Sequence, residues 1–333
     1  MPYTVWGAFK AFRDIAVDLD PKETSTARTS RDYLFEQLKR LARSDSEFPM
    51  SSGSYLTFGS FARRTKIRPL DDIDMMIMLN GRDTTVTNSP SGPYTYWLRI
   101  NSPNAPLALF PDGYGYVNST KLLNKIKKML AQVPSYGKAE IKKNMQAVVL
   151  NLTSYPWVFD IVPAVPVDDG AGGTAHYLIP NGSGDWIRTD PRVDNDNVTR
   201  VNKRHNGNFL RTVRLLKYWN GRTHKPKLAS YYFETLALKV FECATPIADF
   251  PQSVEYFLSS CPTYLRSSCQ DPKGLGPDLD ADVSWDTKDK VSEALAEAAK
   301  YAGYALMFER QSSEEDAIYW WQRVFGSEFP SYG

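Results

Sequence analysis

The chain has 333 residues, 42% hydrophobic and 23% charged, the balance of a soluble globular protein large enough for two lobes and not that of a disordered one. Its 40 Lys and Arg against 38 Asp and Glu leave a net charge of +2, too little for a dedicated duplex binder though enough for a local basic patch. Cys243, Cys261 and Cys269, an odd set without ligand spacing, and His176, His205 and His224, which do not cluster with them, exclude a zinc module or disulfide framework. With no apolar run of spanning length and no charged leader, the chain is expected in a reducing cytosol, away from membranes.

In chain order, Trp6, Phe9, Phe12, Ile15 and Leu19 predict an amphipathic helix broken at Pro21, and Leu34, Leu38 and Leu41 a second one. The short apolar run "IDMMIML" after "SSGSYLTFGSF" predicts a strand. Residues 81–118, crowded with Gly, Pro, Asn and Ser, read as an excursion from the core. "STKLLNKIKKMLAQV" resumes as a helix, with Leu122, Leu123, Ile126 and Leu130 inward, and leads into two strands, "AVVLNLT" and "WVFDIVPAV". From about residue 200 the pattern is helical: "GNFLRTVRLLKYWNGR", "LASYYFETLALKVFE", "VEYFLSSC" and "KDKVSEALAEAAKYAGYALMFER". The acidic, Gly/Pro-rich stretch between the last two is expected to be exposed.

Two acids interrupt the first of these strands. Asp72 and Asp74, two apart, leave the same face of a strand. Ionised carboxylates so placed repel unless a cation lies between them, and a hard divalent ion with oxygen ligands resolves the conflict. Asp160 in "VFDIVPAVP" interrupts a second strand; if the two strands are neighbours, three carboxylates converge. Gly59-Ser60 adds a close backbone approach and a hydroxyl suited to phosphate, twelve positions before Asp72. Arg63, Arg64, Lys66 and Arg68 between them read either as a solvated loop or as a nucleotide-attracting patch that Lys142, Lys143, Lys203 and Arg204 extend.

"GSFARRTKIRPLDDIDMMIM" with the later "FDIVPAVP" resembles the DNA polymerase β-type nucleotidyltransferases, and within them the group of oligoadenylate synthetase, animal cyclic GMP-AMP synthase and the bacterial cGAS/DncV-like enzymes. "RLLKYWN" and "LASYYFETLAL" carry the resemblance into the helical half, so it covers most of residues 30 to 240. The zinc insertion of the animal DNA sensor has no counterpart here, which makes the bacterial branch the nearer likeness and DNA sensing through zinc unexpected.

The resemblance implies an α/β (α+β) fold: a polymerase β-like core of a small mixed sheet with flanking helices over residues 1–195, a helical domain over 196–333, and the active site in the cleft between them. It implies Asp72, Asp74 and Asp160 as catalytic residues and ligands of two Mg²⁺ ions, with Mn²⁺ as the alternative, and Gly59 and Ser60 at the nucleotide. Lys217 and Ser230 map to the donor triphosphate, and Tyr231 or its neighbour Tyr232 to the stacked base. Lys217 also reads as a solvated lysine and the tyrosines as core packing. Asp190, placed where relatives carry a base-reading loop, maps to guanine selection, or else caps a turn before Pro191.

The implied activity joins nucleoside triphosphates, ATP and GTP, into a cyclic di- or trinucleotide messenger with release of pyrophosphate, in bacterial anti-phage signalling. Tailing or nucleotidylation of RNA, protein or a small molecule, and an inactive nucleotide- or RNA-binding scaffold, are the alternatives. "FGSEFPSYG" is too short and turn-rich for a stable element, and the resemblance makes Gly333 a conjugation site for a ubiquitin-like ligation partner. The oligomeric state stays open.

Overall fold

The computed structural model describes residues 2–45, 47–222 and 225–333, with the side chains of residues 52–54 excepted; His224 lies outside them. The chain runs α1 (Val5–Phe12), α2 (Pro21–Ser44), β1 (Met50–Thr57), α3 (Gly59–Ala62), β2 (Asp72–Leu79), β3 (Thr84–Asn88), β4 (Tyr96–Ile100) and α4 (Ser119–Leu130). It continues through β5 (Glu140–Asn144), β6 (Ala147–Asn151), β7 (Val158–Asp168), β8 (Thr174–Pro180) and β9 (Trp186–Thr189). Helices α5 (Pro191–Arg204), α6 (Asn208–Asn220), α7 (Ser230–Glu242), α8 (Phe250–Leu265), α9 (Trp285–Arg310) and α10 (Glu314–Phe325) complete it. Among the described residues no helix is long and apolar enough to cross a membrane.

These elements form two compact units. One holds residues Pro21–Ala62 and Leu70–Arg192, the other the residues up to Asp20, Arg63–Pro69 and Val193–Gly333. The division expected near residue 195 therefore needs a correction at the other end of the chain. An amphipathic stripe tells that the first helix buries a face, not which partner covers it. Here the rings of Phe9 and Phe12 lie within 5.1 Å of that of Phe329, and Phe9 meets Trp321 edge-on at 4.9 Å. The first helical segment ends at Val17, ahead of the expected break, and Pro21 opens the next helix, where its missing N–H leaves nothing unsatisfied.

The first unit is built on one nine-stranded sheet in the order β1-β2-β7-β8-β9-β4-β3, with the β5–β6 hairpin attached to β7. It is larger than the small sheet expected: β1, β5, β8 and β9 join the three anticipated strands, and the excursion at 81–118 contributes β3 and β4. Strands "TTVTN" and "YWLRI" pair antiparallel over five residues, and Leu98 is 1% exposed. The turn residues around them hide this alternation. The β2–β7 pair is parallel and every other pair antiparallel. β2 and β7 share a burial pattern: half-buried, buried, half-buried, then five buried residues. On these two strands one face is thus open where both begin, and apolar side chains close both faces over the next five residues.

The second unit has a continuous apolar core that includes Phe9, Phe12, Trp219, Phe233, Phe257, Leu295 and Trp321. Helices α5 and α10 were not anticipated from the sequence, since the first is polar along most of its length and the second lies in a short stretch after a long helix.

Candidate active site

Asp72 and Asp74 occupy the first and third positions of β2, the half-buried ones. In the parallel register Asp74 stands opposite Asp160, and Asp72 opposite Val158. Neighbouring strands are about 4.8 Å apart, so Asp74 and Asp160 lie side by side with Asp72 on the same face. On its other side Asp160 pairs with Val149 of β6, which fixes it in the interior of the sheet. Burial, and after it the charge of Asp72, holds the Asp160 carboxyl above the ordinary aspartate range.

Gly59 opens the single turn α3 with φ +71°. A Cβ there would stand 1.7 Å from Asp74 Oδ2. The glycine is therefore required twice, for its left-handed backbone and for the carboxylate against it. Ser60 follows in the same turn, and the pair thus lies at the acids, as the spacing suggests.

Three oxygen-donor side chains on one face suit a hard divalent ion. Among the described residues no three His, Cys, Asp or Glu side chains close on a point as a ready cage. An open arrangement fits Mg²⁺, which keeps waters and takes one or two carboxylates together with substrate phosphates.

In the helical unit, Lys217 of α6 and Ser230, the first residue of α7, fall where the resemblance puts them. Lys217 is not a solvated lysine. It is 7% exposed, and its Nζ lies 3.4 Å from Glu234 Oε2. Glu234, 2% exposed, also accepts from Arg63 Nε at 2.7 Å and from Thr65 Oγ1 at 2.8 Å. Burial depresses Lys217 and the Arg63 charge adds to this, while Glu234 opposes it; Arg63 and Lys217 together hold the Glu234 carboxyl below its usual range against the effect of its own burial.

No family model matches the chain. A probable cyclic nucleotide synthase of Bacillus cereus strain VD146 is 38% identical over 336 residues, covering all of this chain and 99% of the relative. This chain belongs to the bacterial cyclic nucleotide synthases. They are cGAS/DncV-like nucleotidyltransferases of the polymerase β superfamily. A cyclic AMP-AMP-AMP synthase of Acinetobacter is 22% identical over 96% of this chain and 84% of its own length. The Escherichia coli CdnC structure with ATP superposes with TM-score 0.71 at 17% identity, covering 97% of this chain and 98% of that one. The Vibrio cholerae dinucleotide cyclase DncV, solved with ATP and GTP, gives 0.65 at 13% identity over 95% and 93%. Both share the fold.

Burial distinguishes the two tyrosines of this synthase. Tyr232 is 1% exposed, in the helical core, whereas Tyr231 is half-buried. The Tyr231 hydroxyl donates to Asp194 Oδ1 at 2.6 Å and accepts from Lys273 Nζ at 2.5 Å. Lys273 also sits 4.3 Å from its ring centroid. Asp190 is 7% exposed and forms a two-pronged ion pair with Arg192, Nε to Oδ1 and Nη2 to Oδ2, both at 2.8 Å. It also accepts the Arg192 backbone N–H at 3.1 Å, which is the turn-capping arrangement before Pro191, with both carboxylate oxygens engaged. The expected guanine reader is thus already occupied within its own turn.

Glu234, Asp194 and Lys273 were missed by sequence reasoning, and Arg63, read there as a solvated or nucleotide-attracting loop residue, is instead buried in its ion pair with Glu234. Glu234 had a signal: an acid inside the apolar helix "YYFETLAL" asks for a cation, as Asp160 does on its strand. Asp194 and Lys273 had none, because a polar helix and a Gly/Pro-rich loop are the usual homes of such residues.

Proposed function

We propose that this synthase joins nucleoside triphosphates, ATP first and GTP as the alternative, into a cyclic di- or trinucleotide with release of pyrophosphate. The observation that carries the reading is the side-by-side register of Asp74 and Asp160 with Asp72 on the same face and Gly59 packed against Asp74. In each step a ribose hydroxyl oxygen bonds to the α-phosphorus as the bond to pyrophosphate breaks. Asp160, nearest the attacking hydroxyl, takes its proton. Asp72, Asp74 and Asp160 would hold two Mg²⁺ ions, or Mn²⁺ in their place, which would supply neutralisation of the charge on the phosphoryl oxygens. Gly59 and Ser60 receive the phosphates, Lys217 and Ser230 bind the donor triphosphate, and the Tyr231 ring stacks on a base.

Adenine as the favoured base follows the names of two relatives, both cyclic AMP-AMP-AMP synthases at 22% identity. A role in anti-phage signalling in the bacterial cytosol, with Gly333 as a point of conjugation, follows the family resemblance. The E. coli CdnC, solved in complex with a HORMA protein, suggests a partner protein of that kind.

Incubation with labelled ATP, GTP, CTP and UTP followed by phosphatase tests the reading. A resistant cyclic product is expected. A ladder or a conjugate would show tailing or nucleotidylation instead, and no product under any nucleotide combination would show a scaffold.

A further inference from the structure

A second cavity of about 430 Å³ lies in the sheet unit, and nine of its ten lining residues carry a hydroxyl while none carries a charge. One wall is a single face of α2: Ser25, Thr26, Thr29, Ser30 and Tyr33 fall at helical spacing over a little more than two turns. Ser and Thr are poor helix formers, so five hydroxyls on one face weaken the helix they stand on. Of the charged residues beside them, Arg31 pairs with Asp32 at 2.8 Å, and Asp32 accepts from the Tyr55 hydroxyl at 2.6 Å.

The opposite wall carries the decisive residue. Tyr136 lines the cavity and is 4% exposed, and its hydroxyl makes no hydrogen bond to any described residue. Its ring meets Tyr33 edge-on at 6.4 Å between centroids. Unlike the hydroxyl of Tyr232, it is not sealed in the interior without a partner, so it opens on the cavity, where a ligand can take its hydrogen bond. Tyr155, on the turn between β6 and β7, gives the cavity a flat apolar wall, and it stacks on Trp157 at 4.6 Å and 13°.

We propose that this cavity binds an uncharged ring compound bearing hydroxyls, a nucleoside or a saccharide, separately from the triphosphates. A neutral lining gives no cation to a phosphate, which excludes both the substrates and the cyclic product. Hydroxyls that donate and accept suit a ligand with the same capacity, and tyrosine faces suit a ring. The volume is that of a small-molecule site. The site is positioned to matter: Tyr155 and Trp157 lead directly into β7, whose third residue is Asp160.

The test is calorimetric titration of the full chain with adenosine, AMP and maltose, in the presence of saturating α,β-methylene-ATP to fill the nucleotide site. At least one of adenosine and maltose binds, and which of them does identifies the source of the ring. Tyr136→Phe and Ser30→Ala each weaken that binding about fivefold, the worth of one hydrogen bond, with melting temperatures held near that of the parent; Thr29 is left in place because its hydroxyl donates to the Ser25 carbonyl. If adenosine is the ligand, AMP binds more weakly. The proposal is overturned if neither uncharged probe binds below about 10 mM, if AMP binds more tightly than adenosine, or if both variants bind as the parent does. The readout is binding, so it stands or falls independently of catalysis.

Discussion

Gly59→Ala separates the role of the turn in catalysis from its role in stability. The left-handed backbone at φ +71° costs an alanine about 1–2 kcal/mol. Its Cβ would lie 1.7 Å from Asp74 Oδ2 and 2.6 Å from Asp74 Cγ, where real Cβ contacts essentially never fall under 3.0 Å. The carboxylate oxygen must therefore retreat by about 1.3 Å, and as the end of a side chain it can do so by rotation. The stability cost stays near that of the backbone alone, roughly 2–4 °C of melting temperature per kcal/mol in a unit of this size. Catalysis has no such escape, because a misplacement of about 1 Å in a reacting constellation costs on the order of 100-fold. Calorimetry of Gly59→Ala should show a fall of a few degrees, and conversion of labelled ATP a loss of 100-fold or more. A rate within threefold of the parent at the same reduced melting temperature would refute the claim that Gly59 fixes the position of Asp74.

Replacing Asp72 and Asp74 together by Asn should abolish product formation while leaving the metal-free melting temperature unchanged or raised, since clustered like charges are relieved; chromatographic product assays and scanning calorimetry read the two effects. Glu234→Gln should cost about 3–5 kcal/mol in urea unfolding, because Arg63 and Lys217 would share a buried site without their anion. Lys217→Ala should lower the melting temperature, because it removes one cation from the buried Glu234, and raise the KM for nucleotide by the roughly 1.5–3 kcal/mol of a charge-assisted contact; thermal melts and steady-state kinetics read the two effects. Asp190→Asn should lower the melting temperature by loosening Arg192 and leave the product ratio in mixed ATP and GTP unchanged; a tenfold shift in that ratio would restore it as a base reader. Lys225, depressed to about 8 by burial and by Arg222 and Lys227, binds its proton less tightly folded than unfolded. Stability should then rise as pH passes from about 8 towards 10.5, and thermal melts of Lys225→Met should lack that rise.

The acids of the site were legible because a carboxylate inside an apolar strand is a local contradiction, visible in seven residues. Their alignment was not: that Asp74 faces Asp160 depends on a parallel pairing across some eighty intervening residues, which no short pattern encodes. Gly59 and Ser60 were legible by spacing, but the reason for the glycine, the Asp74 oxygen at its α-carbon, appears only in three dimensions. Strands β3 and β4 were lost because Gly and Pro in their connections outweighed a clear alternation. Lys217 could be placed on its helix but not assigned a burial, since one lysine on an amphipathic helix reads the same whether it faces water or an inward glutamate. Asp190 illustrates the reverse error, a position suggestive by analogy whose nearest cation, Arg192, stood two residues away in the sequence throughout.

The interleaving of the two units along the chain has a consequence for modularity. The helical unit takes residues up to Asp20, Arg63–Pro69 and everything from Val193, so neither half is a contiguous stretch of sequence. A fragment beginning at residue 193 would lack Phe9 and Phe12, leaving Phe329 without two of its ring neighbours. It would also lack Arg63 and Thr65, stranding Glu234 with a single distant lysine. Gene fusion, truncation or exchange of one half between relatives is thereby penalised, and the seven-residue insert from Arg63 to Pro69, lying in the chain between α3 and β2, ties the inheritance of the helical core to that of the strand carrying Asp72 and Asp74.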